Sequence, residues 1–207
     1  MAKRSANITQ LTLFPETLYE YHILLSPSDA VKEEVDSLKQ QLHEQIGISE
    51  KDRTSIAHIT LLKTEAFEST NMKDLVKKAL AGESKFTIKV NGYDHFAHGS
   101  TRTLYLKLEN PEKVDNLAVA IKNPAKKRAP KPKYRQTSIV DKPERKQKLS
   151  MVPHITIART IAEADFERID FTPFEYENEW VCDRVIIRRR LAGTDKLFSP
   201  AGEVKLG

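Results

Sequence analysis

One tetrapeptide pattern, a histidine, any residue, a threonine and an aliphatic residue, occurs twice in this chain of 207 residues. The copies are His58-Ile59-Thr60-Leu61 and His154-Ile155-Thr156-Ile157, which start 96 residues apart, and each lies in a short aliphatic segment typical of a strand. Side chains two residues apart share one face of a strand, so each histidine points the same way as its threonine. Two such strands side by side would place two imidazoles and two hydroxyls around one cavity.

Hydrophobic periodicity predicts a similar series of elements in the two halves of the chain. Strands are predicted at 19–25, 56–62, 86–90, 103–108, 152–158, 180–187 and 196–198, and helices at 27–46, 71–81, from 110 onward and at 162–169. For the first helix we expect an N-cap at Ser26, a stop at Gly47 and one apolar stripe, formed by Val31, Val35, Leu38, Leu42 and Ile46. We therefore expect an α+β fold in which 1–207 form one bilobal, duplicated domain. Its related halves would be about 19–108 and 109–198, each an antiparallel-rich sheet with outer helices.

Several classes of protein are disfavoured by composition. No apolar run approaches the roughly 18 residues of a membrane span, and the polar N-terminal segment does not resemble a secretory signal. With Cys182 as the single cysteine, the chain offers neither a disulfide framework nor a thiolate zinc site. The other histidines show no metal-ligand spacing with acids, so we expect no metal. A cytoplasmic location and a monomeric state are the resulting expectations.

Positive charge is concentrated in the basic segment, residues 122–148. Eleven Lys or Arg residues and two acids give this segment a charge of +9, which leaves about −4 for the rest, since the chain carries +5. Its four prolines disfavour regular structure, so we predict an exposed, mobile loop. A solvated insertion and a polyanion-binding tether both fit this composition. The candidate nucleic-acid contacts in it are Lys126, Lys127, Arg128, Lys131, Lys133 and Arg135.

The two histidines suit phosphoryl transfer without a metal. One imidazole would take a proton from the attacking hydroxyl or water, and the other would give one to the leaving oxygen. The hydroxyls of Thr60 and Thr156 would donate to the non-bridging phosphate oxygens. A strained 2′,3′-cyclic phosphate is a natural substrate for such a site, and the reverse reaction would make a 2′-5′ link.

Three further groups of residues are candidates. Tyr93, His95, Phe96 and His98 cluster in a predicted connection between strands, where they would either stack on a base or form a plain aromatic turn. His22, on the first predicted strand, is expected to be structural. In the run 188–190, alternation sends the first and third arginine to one face, so only part of the run can line a groove.

The two motif segments, 57–62 and 152–159, resemble the signature strands of the 2′-5′ RNA ligase and 2′,3′-cyclic phosphodiesterase group of the two-histidine phosphoesterase superfamily. The second is the more specific match, because the group often extends its motif with Ala-Arg, here Ala158-Arg159. The resemblance covers most of 19–198 and includes a phenylalanine before the fourth strand, matched by Phe96. The long basic segment departs from the family, which usually has a shorter link there.

This resemblance implies a bilobal fold whose motif strands line a central groove, with no metal or nucleotide cofactor. It assigns the acid–base pair to His58 and His154, phosphate binding to Thr60 and Thr156, and a further phosphate contact to Arg159. We therefore expect hydrolysis of RNA or nucleotide 2′,3′-cyclic phosphates to 2′-phosphates, with reversible 2′-5′ ligation by the same site. The alternatives are a non-catalytic RNA- or nucleotide-binding module and an esterase for another small phosphodiester.

Overall fold

The computed structural model describes residues 16–128 and 152–207. Its strands are β1 (Leu18–Leu25), β2 (Ile59–Phe67), β3 (Phe86–His98), β4 (Thr101–Leu108), β5 (His154–Ala162), β6 (Glu177–Cys182), β7 (Arg184–Leu191) and β8 (Ser199–Lys205). Its helices are α1 (Asp29–Ile46), α2 (Glu50–Arg53), α3 (Met72–Ala79), α4 (Glu112–Arg128) and α5 (Glu163–Phe166), with a 3₁₀ turn at Thr172–Phe174. The predicted α+β class is confirmed.

All eight strands form one antiparallel sheet in the order β6-β3-β4-β5-β2-β1-β7-β8. The two central strands, β5 and β2, are the strands that carry the repeated tetrapeptide. A single residue pair, Ile59 opposite Ile155, joins them. The two antiparallel sheets expected from the sequence are therefore two halves of one sheet, which meet where the two motifs meet.

The halves of the sheet do not follow the expected chain halves 19–108 and 109–198. Strands β2, β1, β7 and β8 form one half, and β5, β4, β3 and β6 form the other. Each half therefore contains strands from early and late in the chain. Periodicity detects a strand but not its partner, because pairing is decided by tertiary contacts.

One predicted strand, 180–187, is two strands in the structure. Strand β6 ends at Cys182 and β7 begins at Arg184, yet β6 is an edge strand and β7 is the seventh strand across the sheet. One residue, Asp183, links them, so the sheet must curl until these strands approach each other. The backbone N–H of Leu206, just beyond β8, donates to the Asp183 carbonyl at 2.8 Å and closes this end.

The same irregularity follows both motif threonines. In the pairing of β1 with β2, Leu24 lies opposite Thr60 and Ile23 lies opposite Leu62. Leu61 is therefore an additional residue in β2 and forms a bulge. Between β4 and β5 the register skips Ile157, the residue after Thr156, in the same way. Bulges of this kind bend a strand and increase its twist. Because the two bulges occupy equivalent positions, the two motif strands are similar in geometry as well as in sequence.

Apolar side chains fill the face of the sheet that the helices cover. Helix α1 buries four residues of the predicted stripe, Val31, Val35, Leu38 and Leu42, and partly buries the fifth, Ile46. Ser28, two residues after the N-cap expected at Ser26, accepts a hydrogen bond from the N–H of Val31. At the other end the predicted stop is observed, since Gly47 adopts the left-handed conformation that closes a helix. Removing these side chains from water supplies the main stabilisation of this layer.

Two predicted connections are regular structure. The segment 91–100 was predicted to connect two strands, but β3 continues to His98 and forms a hairpin with β4 through Gly99, whose positive φ suits the tight turn. Helix α4 continues through Pro124 to Arg128, although the basic loop was predicted to start at 122. Ile121, the residue before the predicted boundary, is fully buried.

The chain end also differs from the prediction. The last strand was predicted at 196–198, whereas β8 begins at Ser199 and pairs with β7.

Within the part of the chain that the structure describes, no helix combines the length and apolar character needed to span a membrane.

Candidate active site

The motif side chains lie together at the centre of the sheet. Ile59 and Ile155 are fully buried and point to the helix-covered face. By alternation, the histidines and threonines on either side point to the opposite face. The antiparallel register directs His58 toward Thr156 and Thr60 toward His154. The structure thus brings all four predicted residues into one constellation.

His58 and His154 are oriented by the same backbone contact. Nδ1 of His58 lies 2.7 Å from the carbonyl oxygen of Ile56, and Nδ1 of His154 lies 2.7 Å from that of Val152. A carbonyl oxygen only accepts, so Nδ1 must carry a proton in both rings. In its neutral form each imidazole therefore has its lone pair on Nε2, the atom available to a substrate.

Burial lowers the pKa of both histidines, but their electrostatic surroundings differ. The pKa of His58 is lowered by burial and further by the nearby charges of Lys63, Lys39 and Arg188, against the opposing effect of its carbonyl contact. The pKa of His154 is lowered by burial, and the hydrogen bond to Val152 opposes the change. Positive charge therefore acts on the His58 side of the groove, which favours a neutral His58.

His22 belongs to the site, although it was predicted to be structural. Its Nε2 lies 2.9 Å from Oγ1 of Thr60, and its ring meets the His58 ring edge-on with centroids 5.0 Å apart. Burial, followed by the charge of His58, lowers the pKa of His22 to about 3. It is therefore neutral near pH 7 and supports both Thr60 and His58. The sequence contains no direct signal for this contact, because it depends on the pairing of β1 with β2.

Aromatic rings surround His154 instead. Phe96 stacks on Tyr105 with centroids 4.3 Å apart, and both rings contact the His154 ring, at 5.1 Å and 4.9 Å. Phe96 was the family-like phenylalanine and a predicted base-stacking residue. Tyr105, on β4, lies opposite Thr156 of β5 and was not identified from the sequence. The two halves of the groove thus differ in chemistry, with aromatic rings beside His154 and charge beside His58.

The predicted aromatic cluster is divided between the two faces of β3. Phe96 lies on the His154 side, and its ring is 6.3 Å from that of His98. Tyr93 stacks on Phe171 at 4.8 Å, and His95 contacts Phe166. Alternation along a strand explains this division, because residues one or three apart point to opposite faces.

Arg159 is held by a carboxylate of helix α2. Its Nε and Nη2 lie 2.8 Å and 2.7 Å from Oδ1 of Asp52, and its backbone N–H donates to Oδ2. The Ser49 hydroxyl also donates to the same buried carboxylate. This pair ties α2 to β5 just after the second motif, where Thr160 takes a positive φ of 51°. The phosphate contact expected of Arg159 stays a prediction.

A buried lysine supports the loop before His58. Lys39 of α1 has no exposed surface, and its Nζ donates to the carbonyl oxygen of Ser55 and, at 2.9 Å, to the Ser55 hydroxyl. Burial lowers the pKa of Lys39. Because Ser55 precedes Ile56, whose carbonyl orients His58, this contact helps to fix the His58 ring. The apolar helix stripe gave no indication of this role.

The remaining predicted contacts lie in or after helix α4 along the chain. Lys126, Lys127 and Arg128 are in the last turns of α4, and Lys131, Lys133 and Arg135 lie outside the described residues.

A cleft of about 270 Å³ is lined by Tyr21, Lys73 and Arg189, on the other side of the sheet from His22. Within 16–128 and 152–207, no three His, Cys, Asp or Glu side chains are grouped to hold a metal ion.

Comparison with known proteins identifies the family and the fold. The model of the 2′-5′ RNA ligase superfamily matches residues 27–194. The fold is similar to that of TT0787 from Thermus thermophilus, with a TM-score of 0.64, 16% identity, and 90% of this chain and 97% of that chain covered. No curated protein matches the chain in sequence.

Two structures of E. coli LigT show the same fold. LigT complexed with 3′-AMP has a TM-score of 0.58 and 16% identity, over 93% of this chain and 99% of that chain. LigT complexed with phosphate has a TM-score of 0.53 and 14% identity, over 92% and 98%. Because the family match spans most of the sequence, this protein belongs to the 2′-5′ RNA ligase superfamily, a branch of the two-histidine phosphoesterases. The resemblance noted in the sequence is confirmed.

Proposed function

We propose that this protein hydrolyses 2′,3′-cyclic phosphate ends of RNA or nucleotides to 2′-phosphates, and that the same site reversibly forms 2′-5′ links. The observation that carries the proposal is the matched pair of imidazoles, each with Nδ1 bound to a backbone carbonyl and Nε2 left for chemistry. An in-line displacement at phosphorus needs one base and one acid on opposite sides. Two equivalent rings on neighbouring strands supply both.

The unequal surroundings of the rings support an assignment of roles. Neutral His58 takes a proton from water through Nε2 as the water oxygen attacks phosphorus. The bond from phosphorus to O3′ breaks, and protonated His154 gives its Nε2 proton to that oxygen. Cations beside His58 favour its neutral form, and a bound phosphate anion favours protonation of His154. The product carries a 2′-phosphate and a 3′-hydroxyl.

The two threonines are proposed to hold the phosphate during this displacement. If neutral His22 donates through Nε2 to Thr60 Oγ1, the hydroxyl proton of Thr60 remains available to a non-bridging phosphate oxygen. Thr156 would donate from the opposite strand. In a regular antiparallel ladder, diagonal residues such as His58 and His154 are roughly 7–8 Å apart, which leaves space for a phosphate between the rings.

A nucleotide substrate agrees with both halves of the groove. Phe96 and Tyr105 offer a stacked aromatic surface beside His154, on the side where the leaving ribose oxygen would lie. Base stacking on such rings tolerates sequence differences. The related fold of LigT has been seen with 3′-AMP and with phosphate. The basic segment 122–148 stays a predicted contact for longer RNA, and the cytoplasmic location and monomeric state also stay predictions.

The test is turnover of the four nucleoside 2′,3′-cyclic monophosphates in the presence of EDTA, with the phosphate position of the product read by ³¹P NMR. We expect EDTA-resistant formation of 2′-phosphates, lost in His154→Ala. A cyclic-phosphate-ended oligonucleotide serves as a second substrate. Failure on both substrates, with retained RNA binding, would favour the non-catalytic binding module instead. A 3′-phosphate product would contradict the proposed direction of ring opening.

A further inference from the structure

A row of three side chains crosses the His58 half of the sheet. His22 on β1 lies directly opposite Lys63 on β2 and directly opposite Arg188 on β7. Residues directly opposite each other in antiparallel strands point to the same face. Lys63 and Arg188 therefore flank His22 on the face that carries Thr60 and His58. In the displacement described above, these two cations act only through the pKa of His58.

Unlike their neighbours, these two cations have no ion-pair partner among residues 16–128 and 152–207. Arg190, two residues along β7, pairs with Glu20 at 2.7 Å and lies over the Phe198 ring. Arg184, on the same strand, pairs with Asp183 and Glu203. In the part of the chain that the structure describes, no carboxylate lies within 4 Å of the Lys63 ammonium or the Arg188 guanidinium.

Their charge reaches the catalytic centre. Both cations lower the pKa of His22 and of His58, which places them close enough to act on an anion bound there. Among the described residues, no charged side chain contributes to the lowered pKa of His154. Arg188 is half-buried, so its guanidinium is less well screened by water than a surface charge. A planar guanidinium and an ammonium on the two sides of His22 are donors of the kinds that bind phosphate.

We propose that Lys63 and Arg188 form a phosphate subsite beside His58, and that the preferred substrates carry a second phosphate in addition to the reacting cyclic one. This inference rests on the proposed function and narrows its substrate class. The second phosphate is either a terminal 5′-phosphate or the internucleotide phosphate of a longer chain. With the base on the aromatic side and the second phosphate on the cationic side, the groove fixes substrate orientation.

Three substrates separate these sources: adenosine 2′,3′-cyclic phosphate, its 5′-phosphorylated form, and a diadenosine that ends in a 2′,3′-cyclic phosphate. The quantity compared is the ratio of kcat/KM with and without the second phosphate. We expect this ratio to be roughly ten or more in the wild type for at least one of the two longer substrates. The substrate that shows the preference identifies the source of the phosphate.

The variants are Arg188→Gln and Lys63→Gln, with Arg184→Gln as a matched control on the same strand. We expect each of the first two to reduce the ratio by about tenfold, because each removes one charge-assisted contact. Arg184→Gln should keep the wild-type ratio, since its charge is already paired. A ratio of one in the wild type, or an unchanged ratio in both variants, would overturn the subsite while leaving the hydrolysis intact. Absence of turnover on all three substrates would instead overturn the proposed function.

Discussion

His58 and His154 contact the backbone in the same way, each with Nδ1 2.7 Å from the carbonyl oxygen two residues earlier. The shared contact fixes the same tautomer and presents the same nitrogen to the groove. The surroundings of the two rings differ, because the cations Lys63 and Arg188 lie near His58 and aromatic rings lie against His154. A duplicated framework thus carries two chemically different subsites.

Replacing either motif threonine by valine should lower kcat by roughly 100-fold, because each change removes a donor to the phosphate. Thr60→Ser and Thr156→Ser are the matched controls and should retain most activity. Only Thr60→Val should also lower the free energy of unfolding, by about 1–3 kcal/mol, because it leaves the buried His22 Nε2 unpaired. Steady-state kinetics and urea unfolding measure both effects. Equal kcat in the valine and wild-type proteins would contradict the phosphate-binding role.

Removing the aromatic ring of Phe96 should weaken binding of the nucleobase. In Phe96→Leu we expect KM for adenosine 2′,3′-cyclic phosphate to rise roughly tenfold, since stacking on an aromatic ring stabilises a bound base. The control substrate is an abasic ribose 2′,3′-cyclic phosphate, on which Phe96→Leu and wild type should be equal. An equal loss on both substrates would show that Phe96 only packs against His154.

Stability should fall as the pH decreases below 6.5, because His22 is neutral when folded. Its pKa is about 3 in the fold against an ordinary 6.5, so between these values only the unfolded chain binds the proton. From pH 7.5 to pH 5 this one group should lower the free energy of unfolding by about 2 kcal/mol. Urea unfolding at the two pH values checks the sign. His22→Gln should remove about this part of the pH dependence, and an unchanged pH dependence would contradict the assignment.

Asp52→Ala should destabilise the fold by about 2–3 kcal/mol, because the buried carboxylate accepts from both Ser49 and Arg159. The half-exposed Arg159 partner moderates this loss. Asp29→Ala removes a surface ion pair with Lys32 and should not shift the urea midpoint measurably. Additive losses in an Asp52→Ala, Arg159→Ala double variant would show that the two residues act independently.

The sequence predicted features that depend on consecutive residues, and it predicted less well the features that depend on which strands pair. The repeated His-x-Thr strands and the stripe and stop of helix α1 were predictable, because alternation and helical spacing are properties of consecutive residues. The break at Asp183 was missed, because a single polar pair interrupts the mainly apolar run 180–187. The structure shows that the buried positions shift there from Trp180 and Cys182 to Val185 and Ile187, and that the pairing partner changes.

Residues that act across strands were missed for the same reason. His22 supports Thr60 only through the pairing of β1 with β2, and Lys39 reaches Ser55 only when α1 packs over the sheet. The ion pair between Arg159 and Asp52 likewise depends on the position of helix α2 beside β5. A single sequence contains no direct signal for such contacts.

The most direct test compares wild type, His58→Gln, His154→Gln and the double variant on a dinucleotide that ends in a 2′,3′-cyclic phosphate, with EDTA present. Circular dichroism and urea unfolding confirm that each variant is folded. We expect each single variant to lose roughly 10²–10⁴-fold in kcat/KM, and the double variant to lose far less than the product of both, because the two rings act in one displacement. Unchanged turnover in either single variant would contradict two-histidine catalysis.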